Sequence, residues 1–301
     1  MTILQAGFRC GFVAVIGRPN VGKSTLINSI MGTKISIVTP KPQTTRHRIL
    51  AVRTLHGSQI IFVDTPGLHR NATKAMNRLM NRTAAAALAD ADVVLFMSEA
   101  LRWTDEDEDV LRRLEGCQAP IIALLNKVDR VQPKEQLLEM LAAMNLRYAF
   151  AEIVPVSALK QDNLDALLDT IEQYLPESPA LFPPYMQSDR GPEFRAAEII
   201  REKLTMQLHE EVPYGLSVQI ERYEASDERV IISAVIWVER NSQKGIVVGM
   251  GGSLLKKVGR SARLELSEQL GRPVHVELWV KVKDNWADSE QDLIRLGYES
   301  P

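Results

Sequence analysis

The chain has 301 residues, with 36 Lys and Arg against 38 Asp and Glu, for a formal net charge of −2. That balance excludes a globally basic nucleic-acid binder, though not a local basic patch. The two cysteines, Cys10 and Cys117, exclude a disulfide framework or a cysteine-rich zinc site. No apolar run approaches the roughly 20 residues of a membrane span, and the N-terminus lacks a basic region followed by an apolar stretch. A cytoplasmic protein with at most peripheral membrane contact is expected. At roughly 100–200 residues per domain, the length predicts about two domains.

In chain order, residues 8 to about 175 alternate between strand and helix. The first predicted strand, Phe12–Ile16, runs into Gly17, Arg18, Pro19, Asn20, Val21, Gly22, Lys23 and Ser24. Two glycines with four residues between them, then Lys and Ser, form the phosphate-loop pattern. It opens a predicted helix over Lys23–Met31, with Thr25 in its first turn. Backbone N–H groups and the helix N-terminus would hold phosphates there. Lys23 would reach the β- and γ-phosphates, and Ser24 would give its hydroxyl to Mg²⁺. The next strand, Gln59–Val63, ends in Asp64, Thr65, Pro66 and Gly67. Asp64 can hold the Mg²⁺ shell through water, and the Gly67 N–H can sense the γ-phosphate.

A helix over Met76–Leu88, a strand over Val93–Met97 and a helix over Asp105–Leu114 follow. The strand Ile121–Leu125 then leads into Asn126, Lys127, Val128 and Asp129. The Asp129 carboxylate is suited to accept from N1–H and N2–H₂ of guanine together. Adenine has no such donor pair, so this residue separates GTP from ATP. Lys127 can lay its aliphatic stem on the base. After a helix over Lys134–Met144, the strand Ile153–Val156 delivers Ser157 and Ala158, where a backbone N–H could bind guanine O6; a helix over Asn163–Tyr174 closes the series. The strands are almost continuously apolar, as in a parallel sheet covered on both faces. All four motifs fall at carboxyl ends of strands, where such sheets bind ligands. The expectation is an α/β P-loop GTPase domain over residues 1–175, with a mostly parallel sheet and helices on both faces. A small-molecule phosphotransferase is disfavoured, because it has no need of a guanine reader.

Residues 176–189 carry Pro176, Pro179, Pro183 and Pro184 and read as a stiff linker. From 190 to 301 the pattern changes to a helix over Phe194–Leu208, strands over Leu216–Tyr223 and Val230–Glu239, a helix over Leu254–Leu270 and a strand over Val274–Val282. A short helix near Ala287–Leu296 follows this α-β-β-α-β order. Residues 240–283 hold nine basic against three acidic residues. At their centre, Gly249, Met250, Gly251 and Gly252 have the Gly-x-x-Gly form of the KH loop, which clamps single-stranded RNA by its backbone. Such loops commonly carry a basic residue between the glycines, and here Met250 and Gly251 stand there. Phosphate attraction is therefore expected from Lys244, Lys256, Lys257 and Arg260.

The order and type of the four nucleotide motifs resemble those of the translation-factor-like GTPases. Thr44-Thr45-Arg46, within Pro42–Arg46, resembles the first switch of the TrmE–Era–EngA group. That likeness implies Thr45 as the Mg²⁺-binding threonine, with Thr44 as the alternative. Joined to a proline-rich linker, an α+β type II KH domain and the tail from Val274 to Tyr298, the chain resembles the KH-domain ribosome-assembly GTPases of that group. The resemblance implies GTP hydrolysis to GDP with Mg²⁺, with Lys23, Thr45, Asp64 and Gly67 at the reacting phosphate. It also implies binding to 16S rRNA near its 3′ end, a role in 30S subunit maturation, a monomeric state and peripheral association with the inner membrane. Asn20 resembles its counterpart in potassium-dependent members, making K⁺ a candidate second cation. Leu68 occupies the position where many GTPases carry Gln to orient water; His69 is the nearest polar residue.

Overall fold

Runs of Val, Ile and Leu build the larger sheet of this computed structural model, which describes residues 7–67, 74–210 and 212–298. The first unit contains β1 (Arg9–Ile16), α1 (Lys23–Met31), β2 (Ile49–Thr54), β3 (Ser58–Asp64), α2 (Ala75–Ala89) and β4 (Val93–Glu99). It continues with α3 (Asp105–Arg112), β5 (Ile121–Asn126), α4 (Gln136–Asn145), β6 (Glu152–Pro155) and α5 (Leu164–Tyr174). The strand order is β2-β3-β1-β4-β5-β6, parallel except for β2. One face packs Val13, Val15 and Leu95 against Leu26, Ile27, Leu167 and Ile171. The other packs Phe96, Ala123 and Leu125 against Val110, Leu114 and Met144.

Strand β2 is an addition to the predicted set. It follows directly on the basic run Arg46-His47-Arg48 and takes its extended form from antiparallel pairing with β3. Its other edge is covered by the proline-rich linker, where the Val52 N–H donates to Gln187 O (3.0 Å) and Ala51 pairs with Ser188. The linker is thus fastened to the sheet. Cys10 N donates to Pro176 O (3.1 Å), and the Gln59 side chain bonds the backbone of Leu181 and Phe182.

The second unit contains α6 (Pro192–Gln207), β7 (Leu216–Ala225), β8 (Val230–Val238), α7 (Asn241–Val248), α8 (Ser253–Leu270), β9 (Val274–Val282) and α9 (Glu290–Arg295). Its sheet runs β7-β8-β9, antiparallel then parallel. Helix α7 corrects the predicted order to α-β-β-α-α-β, and Val247-Val248 close a helix. It is short, with Val247 as its buried residue, so it shows no repeating apolar face. The Gln243 side chain starts it, accepting from the N–H groups of Glu239 (2.8 Å) and Arg240 (3.2 Å). The predicted terminal helix divides into a 3₁₀ turn at Trp286–Asp288 and α9. Trp286 is fully buried against Met76, Leu79 and Met80 of α2. Asp288 accepts from the Ala75 N–H (2.9 Å) at the start of that helix, where a negative charge is favourable.

The segment between α1 and β2 lies in the seam between the two units. The buried Arg46 guanidinium donates to the carbonyls of Leu216 (2.6 Å), Pro213 (2.7 Å) and Tyr214 (3.3 Å). From α6, Arg201 donates to Thr44 O, and Glu202 accepts from Val38 N (3.0 Å) and Lys34 Nζ (2.7 Å). His47 stacks on Tyr298 at 4.5 Å and meets Phe194 edge-on at 5.1 Å.

Candidate nucleotide and RNA sites

The phosphate loop is shaped by close backbone approach. A Cβ on Gly17 would meet Met97 O at 2.4 Å, and one on Gly22, whose φ is +111°, would meet the Asn126 amide at 2.5 Å. Only glycine fits both positions. Lys23 Nζ is held by the carbonyls of Gly17 (2.9 Å) and Arg18 (3.0 Å). Burial, against the pull of Asp64, lowers its pKa to about 8. A cavity of about 390 Å³ opens over this loop, lined among others by Asn20, Ser24, Thr39, Pro40, Gly67 and Lys127.

Three oxygen groups converge beside Lys23. Ser24 Oγ lies 2.9 Å from Thr45 Oγ1 and donates to Asp64 Oδ2 at 3.0 Å. Asp64 is fully buried, and its Oδ1 has no hydrogen-bond partner among the described residues. Burial pushes its carboxyl pKa up despite the Ser36 hydroxyl and the Lys23 ammonium nearby. An orphaned buried carboxylate oxygen beside two hydroxyls fits a hard, oxygen-seeking cation such as Mg²⁺. Thr44 is turned away from this cluster. Its hydroxyl bonds Thr39 Oγ1 (2.6 Å) and Lys41 O (2.7 Å).

At the base end, Asn126 is a strut. Its Nδ2 donates to Val21 O (2.7 Å) and its Oδ1 accepts from the Ala158 N–H (3.0 Å), tying the phosphate loop to the Ser157-Ala158 turn. Ser157 Oγ donates to Asp129 Oδ1 (2.6 Å), orienting that carboxylate. Lys127, at φ +64°, donates through Nζ to Asn20 O (3.1 Å) and Glu99 Oε2 (3.0 Å). Asn20, at φ +63°, donates its side-chain N–H to Pro40 O (2.9 Å), joining the phosphate loop to the segment between α1 and β2.

Two sequence-chosen residues spend their side chains elsewhere. The Arg18 guanidinium donates to Asp107 on α3 (2.9 Å) and to Glu99 (3.2 Å). Thr65 is buried, with its hydroxyl on Val15 O (3.2 Å). Pro66 is buried and Gly67 faces Pro19 across the loop mouth. Leu68 and His69 lie outside the described residues. Glu99 and Asp107 escape sequence reasoning. The signal available was an acidic residue closing an apolar strand, and an acidic residue three places after Thr104. Asp107 accepts from the Thr104 N–H (2.9 Å), a reciprocal cap that fixes it in the interior.

The glycine turn between α7 and α8 is open. Gly249, Gly251 and Gly252 have φ of +72°, +59° and +78°, and Met250 is 93% exposed between them. Lys244, Lys256, Lys257 and Arg260 are exposed around the turn, while Val258, Ala262 and Leu266 bury the inner face of α8.

Comparison with known proteins fits both halves. A family model described as "50S ribosome-binding GTPase" matches residues 12–127, and a KH-domain model matches residues 211–287. The GTPase Era of Coxiella burnetii (strain Dugway 5J108-111) is 48% identical over 290 residues, covering 96% of this chain and 98% of that protein. GTPase Era of Marinobacter nauticus is 47% identical over 289 residues, covering 96% and 95%. The chain belongs to the Era GTPase family. It is therefore a GTPase in which a P-loop GTPase domain precedes a KH domain. Among solved structures, Era in complex with MgGDPNP and nucleotides 1506–1542 of 16S ribosomal RNA superposes with a TM-score of 0.93 at 40% identity, covering 97% of this chain and 99% of that one. An Aquifex aeolicus Era variant bound to GDP and AlF₄⁻ matches with the same TM-score, identity and coverage.

Proposed function

We propose that this Era-family GTPase uses its GTP-bound form to grip 16S rRNA near the 3′ end and assist maturation of the 30S subunit. The observation that carries the reading is the full-length likeness to the Era structure that holds both a GTP analogue and that RNA segment. In this reading residues 1–175 are the GTPase unit, 176–189 the connector and 190–301 the RNA-binding unit. Lys23 neutralises charge on the β- and γ-phosphates, and the Gly67 N–H senses the γ-phosphate. Ser24, Thr45 and Asp64 would hold Mg²⁺, with Thr45 preferred over Thr44 because its hydroxyl meets Ser24. Held by these residues, the ion would supply positive charge to offset the charge that develops on the phosphates. Asp129 accepts from the guanine edge, Ala158 supplies its backbone N–H at O6, and Lys127 covers the ring. K⁺ is a second cation of the proposal, beside Asn20.

On the RNA side, the Gly249–Gly252 turn clamps the chain backbone and Lys244, Lys256, Lys257 and Arg260 attract it. The protein acts in the cytoplasm as a monomer, with peripheral contact at the inner membrane. Among the described residues no helix is long and apolar enough to cross a membrane. Crosslinking in cells carrying a GTP-locked variant, followed by RNA sequencing, tests the reading. Enrichment of the 16S 3′ end is expected. Crosslinks spread evenly along rRNA would contradict it, and absent single-turnover hydrolysis of GTP would leave a binding scaffold.

A further inference from the structure

Glu99 closes β4 next to Asn126, its in-register neighbour on β5. Its single carboxylate faces three cations, one from the phosphate loop and two from the segment that follows β5. Oε2 accepts from Arg18 Nη2 (3.2 Å) and Lys127 Nζ (3.0 Å), while Oε1 accepts from Arg130 Nη1 (3.2 Å). Burial alone would raise the carboxyl pKa, but Lys127 and Arg18 together hold it below the usual range. The group is ionised at neutral pH.

The three cations depend on it unequally. Arg18 is anchored independently by Asp107, whose side chain is fully buried. The Arg130 side chain is 61% exposed, so that pair contributes little. Among the described residues Lys127 has one other anchor, the carbonyl of Asn20. Its four-carbon stem is free to swing unless its far end is fixed. A stem fixed in the folded protein does not have to be ordered again at each binding event.

We propose that Glu99 is a positioning residue for guanine nucleotides: it pins the Lys127 ammonium against the phosphate loop, so that the lysine stem lies across the base and sets how long the nucleotide stays. The inference rests on the reading of Lys127 as the residue that covers guanine. It adds a determinant lying outside the nucleotide motifs, on a strand whose remaining residues serve the core.

The experiment is stopped-flow release of N-methylanthraniloyl-GDP from the full chain, for wild type, Glu99→Gln, Lys127→Met and the double variant. Glutamine keeps an acceptor but removes the charge. Loss of a charge-assisted hydrogen bond predicts roughly tenfold faster release from Glu99→Gln. The double variant should release within about twofold of Lys127→Met, because the two residues act through one contact. Single-turnover hydrolysis by Glu99→Gln at saturating GTP should stay within about twofold of wild type, which separates residence from chemistry. Arg130→Ala should release at the wild-type rate.

Wild-type release from Glu99→Gln together with faster release from Lys127→Met would overturn the role of Glu99 and leave the base reading intact. Wild-type release from Lys127→Met would remove the base reading itself. Fully multiplicative losses in the double variant would move the effect to Arg18 and also overturn the proposal. Glu99→Asp, which retracts the charge by one methylene, gives an intermediate rate if the proposal holds and keeps the test available if the glutamine variant folds poorly.

Discussion

Asn126 is 2% exposed and uses both ends of its amide inside the protein, while Met250, on the turn between α7 and α8, is 93% exposed. The contrast extends to their neighbours. Around the phosphate loop Lys23, Ser24, Asp64 and Lys127 are each held by a partner at hydrogen-bond distance. Around the glycine turn Lys244, Lys256, Lys257 and Arg260 extend into solvent. A preorganised pocket recognises by short contacts that fail all at once. An open basic surface recognises by summed charge that fails gradually and with salt.

The largest expected effect sharpens the first half of that comparison. Asp129→Asn replaces one acceptor oxygen with a donor amide, which suits xanthine and opposes guanine. Competition binding should show a shift from GTP to xanthosine triphosphate of roughly 100-fold in relative affinity. An unchanged preference would remove Asp129 from base recognition.

The second prediction is aimed at the open surface. Neutralising Lys256 and Lys257 together should weaken RNA binding about tenfold near physiological salt and reduce the slope of log K against log salt by roughly 1.4. GTP affinity should stay the same. A constant slope would make this helix face merely solvated.

A third concerns the cation beside the phosphates. Asn20 joins the phosphate loop to the segment between α1 and β2 through Pro40 O. Turnover measured in matched KCl and NaCl should favour K⁺ by several-fold in the wild type, a modest electrostatic effect on the transition state. Asn20→Ala should abolish the difference. Equal wild-type rates in the two salts would eliminate the potassium idea.

The smallest effect lies in the seam. Burial lowers the His47 pKa from 6.5 to about 4, in spite of nearby Glu198 and with help from Arg201, Arg190 and Arg46. The unfolded chain therefore binds a proton that the folded chain refuses, and stability is lost as pH falls from about 6.5 toward 4. Thermal midpoints over that range should fall, by roughly 2–4 °C for each kcal/mol lost. His47→Phe should flatten this limb; an unchanged profile would assign the acid loss to other groups.

The sequence was most informative where one pattern had one physical use. The phosphate loop, Asp64–Gly67, Asn126–Asp129 and Ser157-Ala158 combine strand ends with residue types that a plain turn does not require. The core strands were equally visible, because both faces are buried. Strand β2 was not, since its extended form comes from β3 and the linker as partners. Helix α7 was hidden by its shortness and by Val247 being its buried residue. Glu99 and Asp107 could not be placed, because their shared partner, Arg18, lies 81 and 89 residues away in the chain. Nor did spacing separate Thr44 from Thr45. Only three-dimensional placement turns one hydroxyl toward Ser24 and the other toward Thr39.

The most direct test of the account is RNA affinity of the full chain loaded with GDPNP and Mg²⁺. An oligonucleotide of the 16S 3′ end should be compared with a scrambled strand of equal length and composition. The account predicts tighter binding of the 3′-end strand at every salt concentration, with parallel salt slopes because the phosphate contacts are shared. Equal affinities for the two strands would contradict it.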